Sequence, residues 1–312
     1  MLAILDAAGA DLDYEIFRVG AAEYEENGAL IPEEGFASFE KTHVLLKSPI
    51  TTPLGTGFRS LNVTLRKKYD LYANMRPAKS NAAVKTPFER VDIVMFRENT
   101  EDLYAGVEEK IDENTAHSIK IITRKCSERI VRSAFDYAVK NKRKKVTCVH
   151  KANIMKLSDG LFRDVFYEIS REYPGIEAED KIVDNVAMQL VMHPETFDVI
   201  VTENLYGDIL SDLTSGLIGG LGLLPSSNMG TDFAMFEAVH GSAPDIAGKG
   251  IANPTAFLWS ACMMLEHLGK QEISAKIRRA VDEVLKDGTI LTPDLGGCAG
   301  TEAYTKAIIE RL

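Results

Sequence analysis

Residues 145–183 read KVTCVHKANIMKLSDGLFRDVFYEISREYPGIEAEDKIV, and their patterning decides the fold. Lys145–His150 is a short apolar and β-branched run flanked by charged residues, which predicts a buried strand. From Asp159 to Tyr173 the apolar residues Leu161, Phe162, Val165, Phe166 and Ile169 recur at helical spacing. Ile176–Val183 returns to a strand. Strand, helix and strand in succession point to an α/β fold.

The same alternation continues outward. Downstream, a helix begins near Asp184, Phe197–Thr202 reads as a strand and Gly207–Leu217 as a helix. A strand over Phe233–Val239 is followed by helices over Pro254–Leu268, Ile273–Leu285 and Gly300–Leu312. Upstream lie a helix over Ser127–Asn141 and strands over Val91–Phe96 and Asp70–Ala73. Before them come a helix over Ser60–Tyr69 and a Pro/Gly/Thr loop over Ser48–Phe58. Strands are expected over Thr42–Lys47 and Asp13–Val19, and a helix over Leu2–Ala8. No linker divides the pattern, so two domains sharing a discontinuous chain are expected.

The chain has 312 residues, with 36 Lys+Arg against 46 Asp+Glu and a net charge of −10. That balance argues against a general nucleic-acid binder, which needs a basic face. No window of about 18 apolar residues is present, so no membrane span is expected. Cys126, Cys148, Cys262 and Cys298 show no CxxC spacing, which fits reduced thiols rather than a zinc site or a secreted framework.

Two glycine clusters fail as phosphate loops. Gly220-Leu-Gly222-Leu-Leu-Pro225 ends in proline, and Gly55-Thr-Gly57-Phe-Arg-Ser60 lacks the third glycine of a dinucleotide fingerprint. Gly248-Lys249-Gly250 lacks the hydroxyl residue of a P-loop. Other residues do carry chemistry. Arg66, Arg76 and Arg97 each offer a planar fork for carboxylates, with surface salt bridges as the plain alternative. Ser60, at a helix start, and Asn62 with Arg66, four apart on one face, suit an anion. Asp208 and Asp212 form an i,i+4 pair that repels unless a positive group lies between, such as a divalent cation, and Asp184 is a candidate third ligand. A solvated helix face is the alternative. Tyr104 and Lys151 are candidates for proton transfer. His240-Gly241-Ser242-Ala243-Pro244 with Asp245 reads either as a small-residue turn or as a wrap for an adenosine group, with Asp245 accepting from ribose hydroxyls.

Five stretches carry a resemblance when taken in order. They are SPITTPLGTGFRSLNVTLRKKYDLYANMRP (48–77), FRENTEDLYAG (96–106), VHKANIMK (149–156), ENLYGDILSD (203–212) and EAVHGSAPDIAGKGIANP (237–254). With them the chain resembles the β-decarboxylating dehydrogenases, the family of isocitrate, 3-isopropylmalate, homoisocitrate and tartrate dehydrogenases, over nearly its whole length. The resemblance implies an isocitrate/isopropylmalate dehydrogenase-like α/β fold: two α/β domains around a mixed sheet, not a Rossmann fold. A large cofactor-binding domain is expected over 1–71 plus 219–312. A small domain for dimerisation, metal and substrate is expected over 72–218. Because the chain opens within what matches the family's first helix, the large domain is expected to lack its first strand.

The resemblance also implies roles. Ser60 and Asn62 match the isocitrate branch, where they meet the substrate's extra carboxylate, whereas isopropylmalate enzymes place apolar residues there. Arg66, Arg76 and Arg97 match carboxylate-binding arginines. Asp184, Asp208 and Asp212 match Mg²⁺/Mn²⁺ ligands, and Tyr104 and Lys151 match the catalytic pair. Asp184 and Lys151 are expected to reach in from a second subunit, which implies a homodimer or higher homo-oligomer with shared active sites. Thr52, Asn204, His240, Gly241, Ser242, Ala243, Pro244, Asp245, Ile246 and Asn253 match the cofactor contacts. An acidic Asp245 followed by Ile246 fits NAD, because a carboxylate repels a 2′-phosphate. The implied activity is metal-dependent oxidative decarboxylation of isocitrate, a small tricarboxylate, with NAD. Homoisocitrate or 3-isopropylmalate dehydrogenase and an inactive or regulatory subunit are the alternatives. A bacterial cytoplasmic location is expected, or a mitochondrial matrix one.

Overall fold

The computed structural model describes residues 1–50 and 60–312. In chain order the elements are α1 (Leu2–Ala8), α2 (Ala21–Asn27), α3 (Glu33–Thr42), β1 (Val44–Lys47), α4 (Leu61–Lys68), β2 (Ala73–Lys79), β3 (Asp92–Glu98), β4 (Glu108–Lys110) and β5 (Ala116–Ser118). They continue with α5 (Arg124–Lys140), β6 (Lys145–His150), α6 (Ser158–Ser170), β7 (Glu177–Ile182), α7 (Val183–Met192), β8 (Val199–Thr202) and α8 (Asn204–Leu217). The last are β9 (Pro225–Met229), β10 (Ala234–Ala238), α9 (Thr255–His267), α10 (Gln271–Asp287) and α11 (Thr301–Ile309). No helix among the described residues is long and apolar enough to cross a membrane.

Eight strands form one mixed sheet in the order β1-β10-β9-β2-β3-β8-β6-β7. Neighbours run parallel at β1/β10, β3/β8, β8/β6 and β6/β7, and antiparallel through β10/β9/β2/β3. The centre of the sheet is buried on both faces, which is why β3, β6 and β8 read as nearly continuous apolar runs. Helices α5 and α6 cover one face through Phe135, Phe162 and Phe166. Helices α7 and α8 cover the other through Val186, Leu190 and Leu210. A further core joins α1 to α9, α10 and α11. At the start of α5, the Thr123 side chain accepts the backbone N–H of Cys126, a standard N-cap.

Most expected elements form within a few residues of their predicted limits, but two expectations fail. Residues 13–19 are not a strand: the stretch is irregular and mostly exposed. Its alternation of apolar and polar residues pairs with no strand among the described residues, and a strand without a partner leaves its backbone groups unsatisfied. Asp70–Ala73 is likewise mostly a turn, with Asp70 at φ 46, and the strand begins only at Ala73. Conversely, Pro225–Met229, which follows the failed glycine cluster, is a buried central strand. Ser226 Oγ donates to the Glu237 carbonyl at 3.0 Å, whereas the buried Ser227 Oγ has no partner among the described residues. Thr52 and most of the loop over 48–58 lie outside the described residues.

Candidate active site

The sheet brings the C-terminal ends of β3 and β10 and the body of β2 to one side of α4 and α8, around a cleft of about 250 Å³. It is lined by Ser60, Asn62 and Arg66 of the α4 segment, Arg76 of β2, Arg97 of β3 and Tyr104. Asp208 of α8, with His240 and Gly241 after β10, completes the predicted members. The spacing of Asn62 and Arg66 does put both on the cleft side of α4. Ser60 stands at the N-cap position, but its hydroxyl makes no cap hydrogen bond.

Charge is concentrated here. Arg66, Arg76 and Arg97 are all buried, at 7%, 5% and 1% exposure. Burial and the neighbouring Arg97 and Arg66 charges pull the Arg76 guanidinium down to about 9, so it remains cationic at neutral pH. Arg76 Nη1 lies 3.7 Å from Asp208 Oδ1 and 3.7 Å from Asp212 Oδ1, and donates to Ser211 Oγ at 2.5 Å. The repulsion expected of the aspartate pair is thus relieved by a guanidinium inside the chain. Arg97 pairs with Asp208 and donates from Nε to Asn204 Oδ1 at 2.8 Å. Arg66 Nε, Arg76 Nε, Arg97 Nη2 and Asn62 Oδ1 are buried with no partner among the described residues. Buried polar groups of this kind are expensive to leave unpaired, and the three guanidinium N–H groups are the donor chemistry that an acceptor-rich anion takes.

Tyr104 sits in the 3₁₀ turn Asp102–Ala105, and its hydroxyl donates to Asp208 Oδ2 at 2.5 Å. Burial and that hydrogen bond raise its pKa above the usual phenol value, so it carries its proton at neutral pH. Burial acts to raise Asp208, but Arg97, Tyr104 and Arg76 outweigh it and hold the carboxyl below the usual range. Asp212 is raised: burial outweighs the Arg76 guanidinium 3.7 Å away, and the neighbouring Asp208 charge adds to the rise.

Two charged cleft residues, Glu237 and Lys47, escaped the sequence reading. Glu237 of β10, 4% exposed, pairs with Lys47 Nζ of β1 at 2.7 Å and with Arg66 Nη2 at 3.3 Å, and accepts from Asn228 Nδ2 at 3.0 Å. The only sequence signal was a charged residue inside each of two apolar runs, LLK and AMFEA, a pattern that asks for a buried partner.

Other predicted residues lie elsewhere. Lys151, just after β6, pairs with Asp184 in the first turn of α7. Neither lines the cleft. No group of three or more metal-ligating side chains comes together among the described residues of one chain. Asp208 and Asp212 still offer hard carboxylate oxygens one turn apart, the donor chemistry that Mg²⁺ or Mn²⁺ takes. Ser242, Ala243, Pro244 and Asp245 lie on an exposed loop with Ile246 beside them. His240 Nδ1 contacts the Gly241 carbonyl at 2.9 Å, while its buried Nε2 has no partner among the described residues, which fits a ligand that accepts or donates there. Asn204 and Asn253 instead spend their side chains within the chain. Asn204 Nδ2 donates to the Glu101 carbonyl at 3.1 Å, and Asn253 bridges Asp294 and the Thr255 N–H, each at 2.9 Å.

The profile described as isocitrate/isopropylmalate dehydrogenase matches residues 1–312. The chain is 47% identical over 309 residues to the probable isocitrate dehydrogenase (NAD) subunit alpha, mitochondrial, of Drosophila melanogaster, covering 99% of this chain and 82% of that protein. It is 50% identical to the isocitrate dehydrogenase (NADP) of Thermus thermophilus, covering all of this chain but 64% of that longer protein. The crystal structure of isocitrate dehydrogenase from Methylococcus capsulatus superimposes with a TM-score of 0.96 at 52% identity, covering 99% of this chain and 93% of that one.

Proposed function

The chain belongs to the isocitrate/isopropylmalate dehydrogenase family, and on that footing we propose that it oxidises isocitrate at C2 and releases the carboxylate at C3 as CO₂, leaving 2-oxoglutarate. The observation that carries this reading is the convergence of three buried arginines with Ser60 and Asn62 on one cleft beside Tyr104 and Asp208. Three planar forks suit three carboxylates. A hydroxyl and an amide beside them suit the polar arm of isocitrate and waste themselves on the alkyl group of 3-isopropylmalate.

Asp208 and Asp212, with Asp184 from a second copy, would hold Mg²⁺ or Mn²⁺, and residues 240–246 with Thr52, Asn204 and Asn253 would hold the dinucleotide. When bound, the cation polarises the C2 oxygen and the dinucleotide accepts the C2 hydride. The chain's own residues do the rest. Arg66, Arg76 and Arg97 orient the substrate by its carboxylates. Lys151 takes the C2 hydroxyl proton. Tyr104, kept as a phenol, protonates C3 after CO₂ leaves.

Sharing of the site between two copies is supported by the surface next to Lys151 and Asp184. Ile154, Leu157, Met188, Val191, Met192 and Ile209 are all more than half exposed, and Leu157 is 90% exposed. Helix α7 packs on α8 and on β6, so Met188, Val191, Met192 and Ile209 belong to helices on one side of the sheet, and Ile154 and Leu157 follow Lys151 in the chain. Such an apolar face fits burial against a second copy, which would carry Lys151 and Asp184 toward that copy's cleft. On this reading residues 72–218 would dimerise and hold the metal, and hold the substrate together with Ser60, Asn62 and Arg66, while 1–71 plus 219–312 would hold the dinucleotide together with Asn204.

NAD is favoured over NADP by Asp245 and Ile246, because a carboxylate beside the ribose repels a 2′-phosphate. The test is reduction of NAD or NADP by the purified protein with Mn²⁺ and isocitrate, homoisocitrate or 3-isopropylmalate. The fastest turnover is expected with isocitrate and NAD. No reduction with isocitrate would refute the enzymatic reading in favour of a regulatory subunit, and faster turnover with NADP would remove the role given to Asp245.

A further inference from the structure

Behind the cleft lies a buried charged cluster that the proposed chemistry does not use. Lys120, in the stretch between β5 and α5, extends its ammonium between two carboxylates. Its Nζ is 2.6 Å from Asp159 Oδ1 and 2.5 Å from Glu203 Oε2. Asp159 and Glu203 are 0% and 1% exposed. The same Nζ sits 4.5 Å from the Tyr206 ring centre, a cation–π contact. A third buried carboxylate, Asp102, accepts the N–H of Leu205 at 2.7 Å.

Each partner of Lys120 holds a piece of the proposed machinery. Asp159 Oδ2 accepts the backbone N–H of Lys151 at 2.7 Å and lies 3.3 Å from the Tyr206 hydroxyl. It therefore fixes the chain where Lys151 departs from β6. Glu203 is the N-cap residue of α8, and its carbonyl accepts the Gly207 N–H at 3.0 Å. That helix carries Asp208 and Asp212. Burial pulls the Lys120 ammonium toward the neutral form, but Glu203 and Asp159 overcome it and hold the group above the ordinary lysine range. Lys120 is thus a fixed cation joining two buried carboxyl groups that belong to different elements.

We propose that Lys120 is a positioning residue that locks the Lys151 end of β6 to the N-terminus of α8 through Asp159 and Glu203. The proposal rests on the function assigned above, since it is Lys151 and the α8 aspartates that are positioned. Lys120 touches neither substrate nor cofactor in that scheme. Because Lys151 and Asp208 would serve the clefts of two different copies, one buried cation sets the register between what a chain gives to its own site and what it gives to its partner's.

The experiment compares wild type with Lys120→Met, Lys120→Arg and Asp159→Asn. One readout is the steady-state kinetics of isocitrate oxidation. The other is the pH-dependent rate of reductive methylation of Lys151, followed by mass spectrometry without substrate. In Lys120→Met, kcat is expected to fall by about tenfold or more, because small misplacements of reacting groups are heavily penalised. The KM for isocitrate should stay within about twofold, since the arginines are untouched. The methylation rate of Lys151 should change by about threefold or more as its anchor loosens, because a lysine amine responds to its surroundings. Lys120→Arg should recover part of both effects. If Lys120→Met does not fold, the arginine and Asp159→Asn variants carry the same comparison. A folded variant with kcat within about twofold of wild type, or one with unaltered Lys151 methylation, overturns the proposal. If wild type itself does not oxidise isocitrate, the assigned function fails, while the methylation comparison still decides the role of Lys120.

Discussion

Arg97 lies directly across Gly207: a Cβ built on Gly207 would stand 2.5 Å from Arg97 Cγ and 2.7 Å from its Cβ. The bare glycine lets α8 approach β3 closely enough for the guanidinium to meet Asn204 and Asp208 on the same helix. Gly207→Ala should therefore push Arg97 out of place despite the better helix propensity of alanine. An overpacking loss of about 1–3 kcal/mol is expected, with kcat/KM for isocitrate down by about tenfold or more. Urea midpoints and steady-state kinetics check it, and a variant with unchanged kinetics would show that Arg97 does not depend on this contact.

Tyr104 and Asp208 make a second test. Tyr104→Phe keeps the ring and removes the 2.5 Å hydrogen bond and the proton. The expected loss is about 10²–10⁴-fold in kcat, with little change in the KM for isocitrate. Equal losses in binding and turnover would instead place Tyr104 among the binding groups.

Shared sites predict complementation. Lys151→Ala and Arg97→Ala chains, each inactive alone, should recover activity when unfolded together and refolded as mixed oligomers, because one cleft then receives an intact lysine and an intact arginine. Sedimentation should show the chain as a dimer or larger. Failure to recover activity in a verified mixed oligomer would assign both residues to one chain's site.

Glu237 predicts a pH dependence of stability. Burial acts to raise it, but Lys47 and Arg66 dominate and bring it from 4.5 in a free chain to about 2. Between those values the unfolded chain binds more protons than the folded one, so this contribution is fully present above pH 4.5 and is lost as pH falls toward 2. Glu237→Gln should lower stability at neutral pH by leaving Lys47 and Arg66 unbalanced. It should also flatten the acid limb by up to about 1.4 kcal/mol per pH unit. Denaturation at a series of pH values reads both, and parallel acid limbs would show that Glu237 is not the group titrating.

Asp245 predicts the cofactor. Asp245→Lys should replace repulsion of a 2′-phosphate with attraction and shift the ratio of kcat/KM for NADP over NAD upward by about tenfold or more. An unchanged ratio would place the adenosine ribose away from the 240–246 loop.

The α/β alternation was legible because buried parallel strands and amphipathic helices have different periods, and β6, α6, β8 and α10 show them plainly. Residues 13–19 and 225–229 misled for a common reason. Whether a stretch becomes a strand depends on the backbone that pairs with it, and neither alternation nor small polar composition records that partner.

The site divides in the same way. Residue type and order alone marked arginines, paired aspartates, a tyrosine and a lysine as candidates for binding an anion, because those chemistries are local to each side chain. Only the tertiary structure decided that Arg76 stands between Asp208 and Asp212, that Glu237 and Lys47 belong to the cleft, and that Lys151 pairs with Asp184 away from it. Charges act through space over a few ångströms, and the sheet brings together residues more than a hundred positions apart, a distance that sequence spacing does not encode.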